Sequence, residues 1–356
     1  MSLENYATPE GTARYRERFA GRAAAGHFRL RENLYLSSIG IGTYLGNPDE
    51  VTDVAYTNAV VRAVQLGANV IDSASNYRFQ RSERSIGQAL KELTTEHGFT
   101  RDELVICTKG GYLPFDGGPP YDVPRYVEET FVKPGIASVD DFVGGSHCMT
   151  PAYLQTQLDQ SLSNLGVSTV DVYYIHNPES QLGYVSETEF YQRLQRAFER
   201  LEQNRSEGKL RYYGVATWNG FRTAPDALGH HSLERIVELA RETGGENHGF
   251  RFIQLPLNLA MPEAIPVADA ADQLGVTVVA SASMLQARLS RGLPDEIRTP
   301  LGPLASDAQT AIQFVRSTPG ITTALVGMSR LEHVEENLAL VQVEPASLQK
   351  FAQLFS

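Results

Sequence analysis

Apolar and polar positions follow two rhythms along this chain. Short apolar runs at about 36–43, 69–72, 104–109, 170–176, 210–216, 252–255, 276–281 and 323–326 have the length and make-up of buried strands. Longer amphipathic stretches follow them at about 54–66, 82–95, 151–165, 187–206, 232–241, 262–274, 307–316 and 331–340. In the third of these, Leu154, Leu158, Ser161, Leu162 and Leu165 recur at spacings of three and four, which is one face of a helix. Eight strands, each followed by a helix, predict a parallel sheet with its helices outside. Eight repeats in one chain make a closed (β/α)8 TIM barrel the simplest architecture.

The barrel is expected over residues 31–345, with 1–30 as an N-terminal extension, partly helical, and 346–356 as a C-terminal tail. Two segments exceed ordinary connections. Residues 111–149, rich in Gly, Pro, Tyr and Asp, follow the third strand, and 283–304 follow the seventh. Both are expected to leave the C-terminal face of the barrel, where long loops form functional walls or lids.

Composition changes this picture little. The 356 residues carry a formal net charge of −11, against the clustered Lys and Arg that a nucleic-acid partner requires. The two cysteines, Cys107 and Cys148, have no metal-type spacing and make no disulfide framework, which fits a reducing compartment. The first residues lack the apolar core of a signal peptide, and no apolar run reaches the roughly 18 residues that span a bilayer. The expectation is a cytoplasmic protein with no membrane partner, no nucleic acid and no metal. Oligomeric state is not legible.

The chemistry lies where the apolar runs stop. Asp72 ends the second strand, Lys109 the third (LVICTKGG) and His176 the fourth (VDVYYIHNPE). In a barrel these ends meet at one rim, and Tyr77, five residues past Asp72, can reach the same point. A nearby ammonium lowers the pKa of a phenol, Asp72 can hold that ammonium, and His176 can orient a substrate oxygen. The set suits proton donation to an oxygen on which negative charge develops. Singly, each residue has a plainer reading: Asp72 as a turn cap, Lys109 as a solvated strand end, Tyr77 as a core aromatic, His176 as a satisfied histidine. Their joint placement is the argument.

On these residues the sequence resembles the aldo-keto reductase superfamily. The likeness rests on DSASNY, ICTKGG and DVYYIHNP, and extends to GIGT at 40–43, SERSIGQAL at 82–90, YYGVATWNG at 212–220, IQLPLNL at 253–259 and LVGMSRLEHVEENL at 325–338. It implies an NADP-dependent oxidoreductase, with NAD possible, acting on an aldehyde, ketone or sugar-like substrate through Asp72, Tyr77, Lys109 and His176. It implies nicotinamide contacts at Gly42, Thr43 and Asp72, carboxamide contacts at Gln254 with Thr217 or Asn219, and further contacts at Ser281, Met284 and Gln286. The adenosine end falls on Gly327, Ser329 and Arg330, with Glu336 and Asn337 at the adenine. A helix N-terminus beside an Arg independently suits a phosphate, although Ser329 as a mere helix cap is the plainer alternative.

The departures are specific. Ala216-Thr217 replaces the family's Ser-Asn, and Ser281 replaces a Tyr that stacks on the nicotinamide. No Lys adjoins Arg330, His333 replaces a frequent Arg, and Arg78-Phe79-Gln80-Arg81 lengthens the loop after Tyr77. Tyr112, Phe115, Tyr121, Tyr126 and Trp218 are candidate pocket walls. The competing reading is a non-catalytic nucleotide-binding regulatory protein on the same barrel. A metal-dependent hydrolase lacks the necessary ligands, and a Rossmann dehydrogenase lacks GxGxxG opening a helix.

Overall fold

The computed structural model describes Leu3 and residues 5–355; Met1, Ser2, Glu4 and Ser356, at the outer ends of the two terminal segments, lie outside the described set. The strands are β1 (Phe28–Arg31), β2 (Leu34–Ser37), β3 (Ile39–Gly42), β4 (Val70–Asp72), β5 (Val105–Gly110), β6 (Val170–His176), β7 (Leu210–Ala216), β8 (Phe250–Pro256), β9 (Thr277–Ser281) and β10 (Ile321–Gly327). Among the described residues, β3 to β10 close a barrel in the order β10-β3-β4-β5-β6-β7-β8-β9, with every pairing parallel. The expected (β/α)8 architecture is thus observed.

Alternation along each strand divides two cores. Val70, Val105, Cys107, Val172, Tyr174, Phe252, Val279 and Leu325 fill the barrel interior, while residues such as Ile41, Ile71, Ile106, Ile175, Val215 and Ile253 pack against the surrounding helices. The same period of two turns Asp72, Lys109, His176, Gln254 and Ser281 inward, one step beyond the interior core.

The first predicted strand proves to be two elements. β2 pairs antiparallel with β1, and Leu34 and Leu36 plug the lower end of the barrel; β3 then starts the barrel itself. The β1–β2 turn holds Glu32 and Asn33 at φ 50° and 61°. That geometry favours Asn-Gly, and Glu-Asn gives only a weak turn signal, so the hairpin is hidden in the sequence. The helix Pro9–Glu17 packs beneath, where Tyr15 donates to the Val64 carbonyl at 2.6 Å. At the other end of the chain, the helix Leu348–Ala352 buries Phe351 against Phe314.

The long segment after β5 carries its own small core of Leu113, Phe131, Ala137, Phe142, Cys148 and Tyr153. The segment after β9 contains the helix Asp295–Leu301. Both cysteines are buried and free. Among the described residues no helix is long and apolar enough to cross a membrane, and no group of three or more His, Cys, Asp and Glu could hold a metal ion.

Candidate active site

The strand register builds the site. Gly327 is level with Gly42, Gly42 with Asp72, and Asp72 with Cys107, so Lys109 stands two residues further out on the same inward face. His176 is level with Ala216, Ala216 with Gln254, and Pro256 with Ser281. These ends surround a cavity of about 480 Å³ at the C-terminal mouth.

Asp72 and Lys109 form a buried ion pair, with Nζ 2.5 Å from Oδ1. Lys109 also donates to the Ser73 carbonyl at 2.7 Å, and Gln254 donates to the other Asp72 oxygen at 2.8 Å. Burial pushes the Asp72 carboxyl up, opposed by the Lys109 charge and these hydrogen bonds. Burial acts most strongly against the Lys109 ammonium, but the charges of Asp72 and Tyr77 and the hydrogen bonds to them together outweigh it and hold the Lys109 pKa above its ordinary 10.5. The ammonium lies 4.7 Å from the centre of the Tyr77 ring.

The Tyr77 ring meets His176 edge-on at 5.8 Å and Tyr44 at 4.9 Å. Lys109 pulls the Tyr77 pKa down, as the sequence argument expects, but burial is the larger effect and, with Asp72 also pushing up, raises it above its ordinary 10.0. The phenol therefore holds its proton at neutral pH. Burial, helped by the Lys109 charge, drives the His176 pKa well below 6.5, so its ring is neutral.

A relay behind His176 fixes its place. His147 Nε2 lies 2.7 Å from the His176 carbonyl, and Gln181 Nε2 lies 2.9 Å from His147 Nδ1. Arg193 donates to Gln181 Oε1 at 2.8 Å. Because Arg193 can only donate, Gln181 presents its NH₂ to His147, which must accept at Nδ1 and donate from Nε2. Tyr112 sits edge-on to both imidazoles, at 5.0 and 5.1 Å.

The cavity lining joins Gly42, Thr43, Asp72, Tyr77, His176, Thr217, Gln254, Ser281, Met284, Gln286 and Gly327 from the expected site. Lys109 stands behind Asp72, outside the lining. Asn219, Ser329, Arg330, Glu336 and Asn337 also lie outside it. The Asn219 backbone N–H instead donates to Glu179 at 2.9 Å, as do those of Trp218 and Gly220 at 2.6 and 3.4 Å. Ser329 is no cap: Arg330 takes the N-cap position of Leu331–Leu338 without a side-chain cap bond, its exposed guanidinium 3.5 Å from Glu332.

Of the candidate wall aromatics, Tyr112 and Trp218 line the cavity. Phe115 and Tyr126 pack inside the 111–149 segment, and Tyr121 is fully exposed. Sequence reasoning missed Tyr44, Asn76, Asn177, Ser283 and His147. Tyr44 directly follows the noted GIGT run, and Asn76 and Asn177 lie inside the noted DSASNY and DVYYIHNP runs; those adjacencies were the available signals.

Several cavity features fit a dinucleotide. Gly42 and Gly327 face each other on adjacent strands, and a Cβ on either would meet nothing nearer than 4.0 Å, which leaves a floor open to a flat ring. Thr217 Oγ1 and Ser283 Oγ are buried without hydrogen-bond partners at the same mouth, and Asn337 Oδ1 is likewise unpartnered. Buried polar atoms rarely stay unpaired without a reason.

Comparison with known proteins agrees. The family model for the aldo/keto reductase family matches residues 38–291. L-glyceraldehyde 3-phosphate reductase of Escherichia coli K12 is 25% identical over 98% of this chain and 94% of its own. A putative voltage-gated potassium channel subunit beta of Schizosaccharomyces pombe is 24% identical over 92% of each. Among solved structures, an aldo/keto reductase from Klebsiella pneumoniae in complex with NADP and acetate superposes with a TM-score of 0.63 at 21% identity, covering 93% of this chain and 94% of that one.

Proposed function

Since the chain belongs to the aldo/keto reductase family, we propose that it is an NADP-dependent reductase of small aldehydes, ketones or sugar-like carbonyl compounds, with Tyr77 as general acid. One observation carries this reading: the phenol of Tyr77 is held beside both a buried Asp72–Lys109 ion pair and a neutral His176 at the mouth of one cavity.

NADPH, when bound, supplies the hydride. Gly42, Thr43, Asp72, Gln254, Ser281, Met284 and Gln286, with Thr217 or Asn219 at the carboxamide, are the residues to hold its nicotinamide half, and Gly327, Ser329, Arg330, Glu336 and Asn337 are proposed for the adenosine end. The unpartnered hydroxyls of Thr217 and Ser283 and the bare glycine floor support that assignment. Arg330 favours a 2′-phosphate because a guanidinium matches phosphate geometry. NADP-bound relatives of the same fold are consistent with it.

The remaining steps belong to the chain. The neutral His176 ring offers a donor that orients the carbonyl oxygen. As negative charge grows on that oxygen, Tyr77 gives up its phenolic proton and a new O–H bond forms. Lys109 stabilises the phenolate left behind, and Asp72 and Gln254 keep Lys109 in place. In reverse, the phenolate takes the proton of an alcohol. A raised pKa keeps the donor charged with its proton for reduction.

Tyr77→Phe is expected to cut turnover by roughly 10²–10⁴-fold, the range for a lost general acid, while binding of NADPH is retained. Binding is read from quenching of Trp218, the chain's single tryptophan, at the cavity wall. Retained turnover in the Phe variant removes Tyr77 from this role. Failure of both NADPH and NADH to bind favours a non-catalytic protein.

A further inference from the structure

Beside the glycines, the cavity lining includes Tyr44, Leu45, Asn76, Tyr112, Asn177 and Trp218. Among the described residues, no Lys or Arg lines the cavity. Its one acid, Asp72, is already neutralised by Lys109 behind it. Arg78, the guanidinium nearest in sequence to Tyr77, turns away to the Asn47 carbonyl at 2.9 Å and to the Asp53 carboxylate. Glu179 Oε1 accepts from three backbone N–H groups, and its Oε2 is buried without a hydrogen-bond partner, so this carboxylate offers an anion nothing. A substrate entering here meets aromatic faces and carboxamides, with no net charge.

That is a poor place for an anion. A phosphate or carboxylate would lose hydration without gaining a counter-ion, and an isolated buried charge is costly. The chain's net charge of −11 adds a weak long-range repulsion. The polar groups of this lining suit hydroxyls instead. Asn76 Oδ1 is buried without a partner and so calls for a donor. Asn177 donates to the Tyr112 hydroxyl at 3.3 Å, and that hydroxyl lies 2.9 Å from Ser180 Oγ, a neutral chain leading out toward solvent. The faces of Tyr44, Tyr112 and Trp218 can cover the C–H surface of a compact polyol.

We propose that the site selects uncharged hydroxylated carbonyl compounds, of the aldose or hydroxyaldehyde type, and rejects their phosphorylated or carboxylated counterparts. The inference rests on the reductase reading above. The experiment measures kcat and KM with saturating NADPH for two matched pairs, glyceraldehyde with glyceraldehyde 3-phosphate and glucose with glucuronate, and for propanal, which needs no hydroxyl contacts. The neutral member of each pair is expected to exceed its anion in kcat/KM by roughly 10²-fold, mainly through KM, the scale of an uncompensated charge in a pocket. In Leu45→Arg, which brings a cation to the rim, the ratio is expected to narrow about tenfold. Turnover of propanal with equal use of neutral and anionic partners overturns the selectivity and leaves the reductase reading standing. No turnover of any aldehyde, propanal included, overturns both.

Discussion

Among the described residues, two Lys or Arg ion pairs are buried on both sides, one at each end of the barrel, and one of them faces a cavity. Arg101 and Asp171 meet at 2.7 Å with side chains 3% and 1% exposed; Lys109 and Asp72 meet at 2.5 Å at 1% and 5%. By distance and burial they are nearly twins. Their surroundings differ. Asp171 also accepts the backbone N–H groups of Ala7 and Ile106, both at 2.7 Å, and Arg101 donates to the carbonyls of Leu104 and Thr169 at 2.6 and 3.0 Å. This pair ties the N-terminal segment, β5 and β6 together at the lower end, and only Arg101 Nε lacks a partner. The upper pair is bordered by a phenol, a neutral imidazole and unpartnered hydroxyls around open space. Burial of an ion pair is thus weak evidence of function. What marks the functional one is capacity left unused next to room for a ligand.

The comparison can be broken by replacing each pair. Asp72→Asn combined with Lys109→Met is expected to lower turnover by roughly 10²–10⁴-fold, because the support of the Tyr77 acid is gone. Its thermal midpoint should move by only a few degrees, since replacing both members leaves no naked charge. Large unfolding of this double variant would mean that the upper pair is structural too.

Arg101→Met should do the reverse. It strands the Asp171 carboxylate in the interior, at a cost of about 3–5 kcal/mol. Denaturant melts should register that loss, while kcat per folded molecule stays near the parent value. A selective loss of kcat would show that the two ends are coupled.

His147→Phe sharpens the contrast at the upper end. It removes the donor to the His176 carbonyl and the acceptor for Gln181, so His176 loses its rear support. A displaced catalytic group is expected to lower kcat by about 10- to 100-fold with little change in KM. His147→Gln, which restores a donor, should recover part of it.

The most gradual effects are in pH. Burial lowers His27, at the lower end, and His147, at the upper, to about 4. A histidine whose folded pKa lies below 6.5 binds protons more readily when unfolded. Stability is therefore present above about 6.5 and is lost as pH falls towards about 4, at up to ~1.4 kcal/mol per pH unit for each group. Urea midpoints across this window check the slope, and His27→Gln should flatten it. Turnover should show no His176 limb near 6.5, because that ring stays neutral, and reduction should decline only above pH 10, as the raised Tyr77 pKa is passed.

The strand-and-helix alternation, and the placing of Asp72, Lys109 and His176 at strand ends, were legible in the residues, whereas Gln254 and Ser281 were placed by the family resemblance alone. The alternation and that placing follow from periods of 2 and 3.6 within short windows of chain. So was the convergence of strand ends, which barrel closure enforces. The β1–β2 hairpin was not legible, because Glu32-Asn33 adopts left-handed geometry without the usual turn residues. Nor was the Arg101–Asp171 pair, nor the His147 support, nor the upward shift of Tyr77. These depend on contacts between residues far apart in sequence: 70 positions between Arg101 and Asp171, 182 between Asp72 and Gln254. Local pattern decides which way a side chain points. Its partners, its burial and the balance of charges around it are sums over everything packed nearby, and only the folded chain performs that sum.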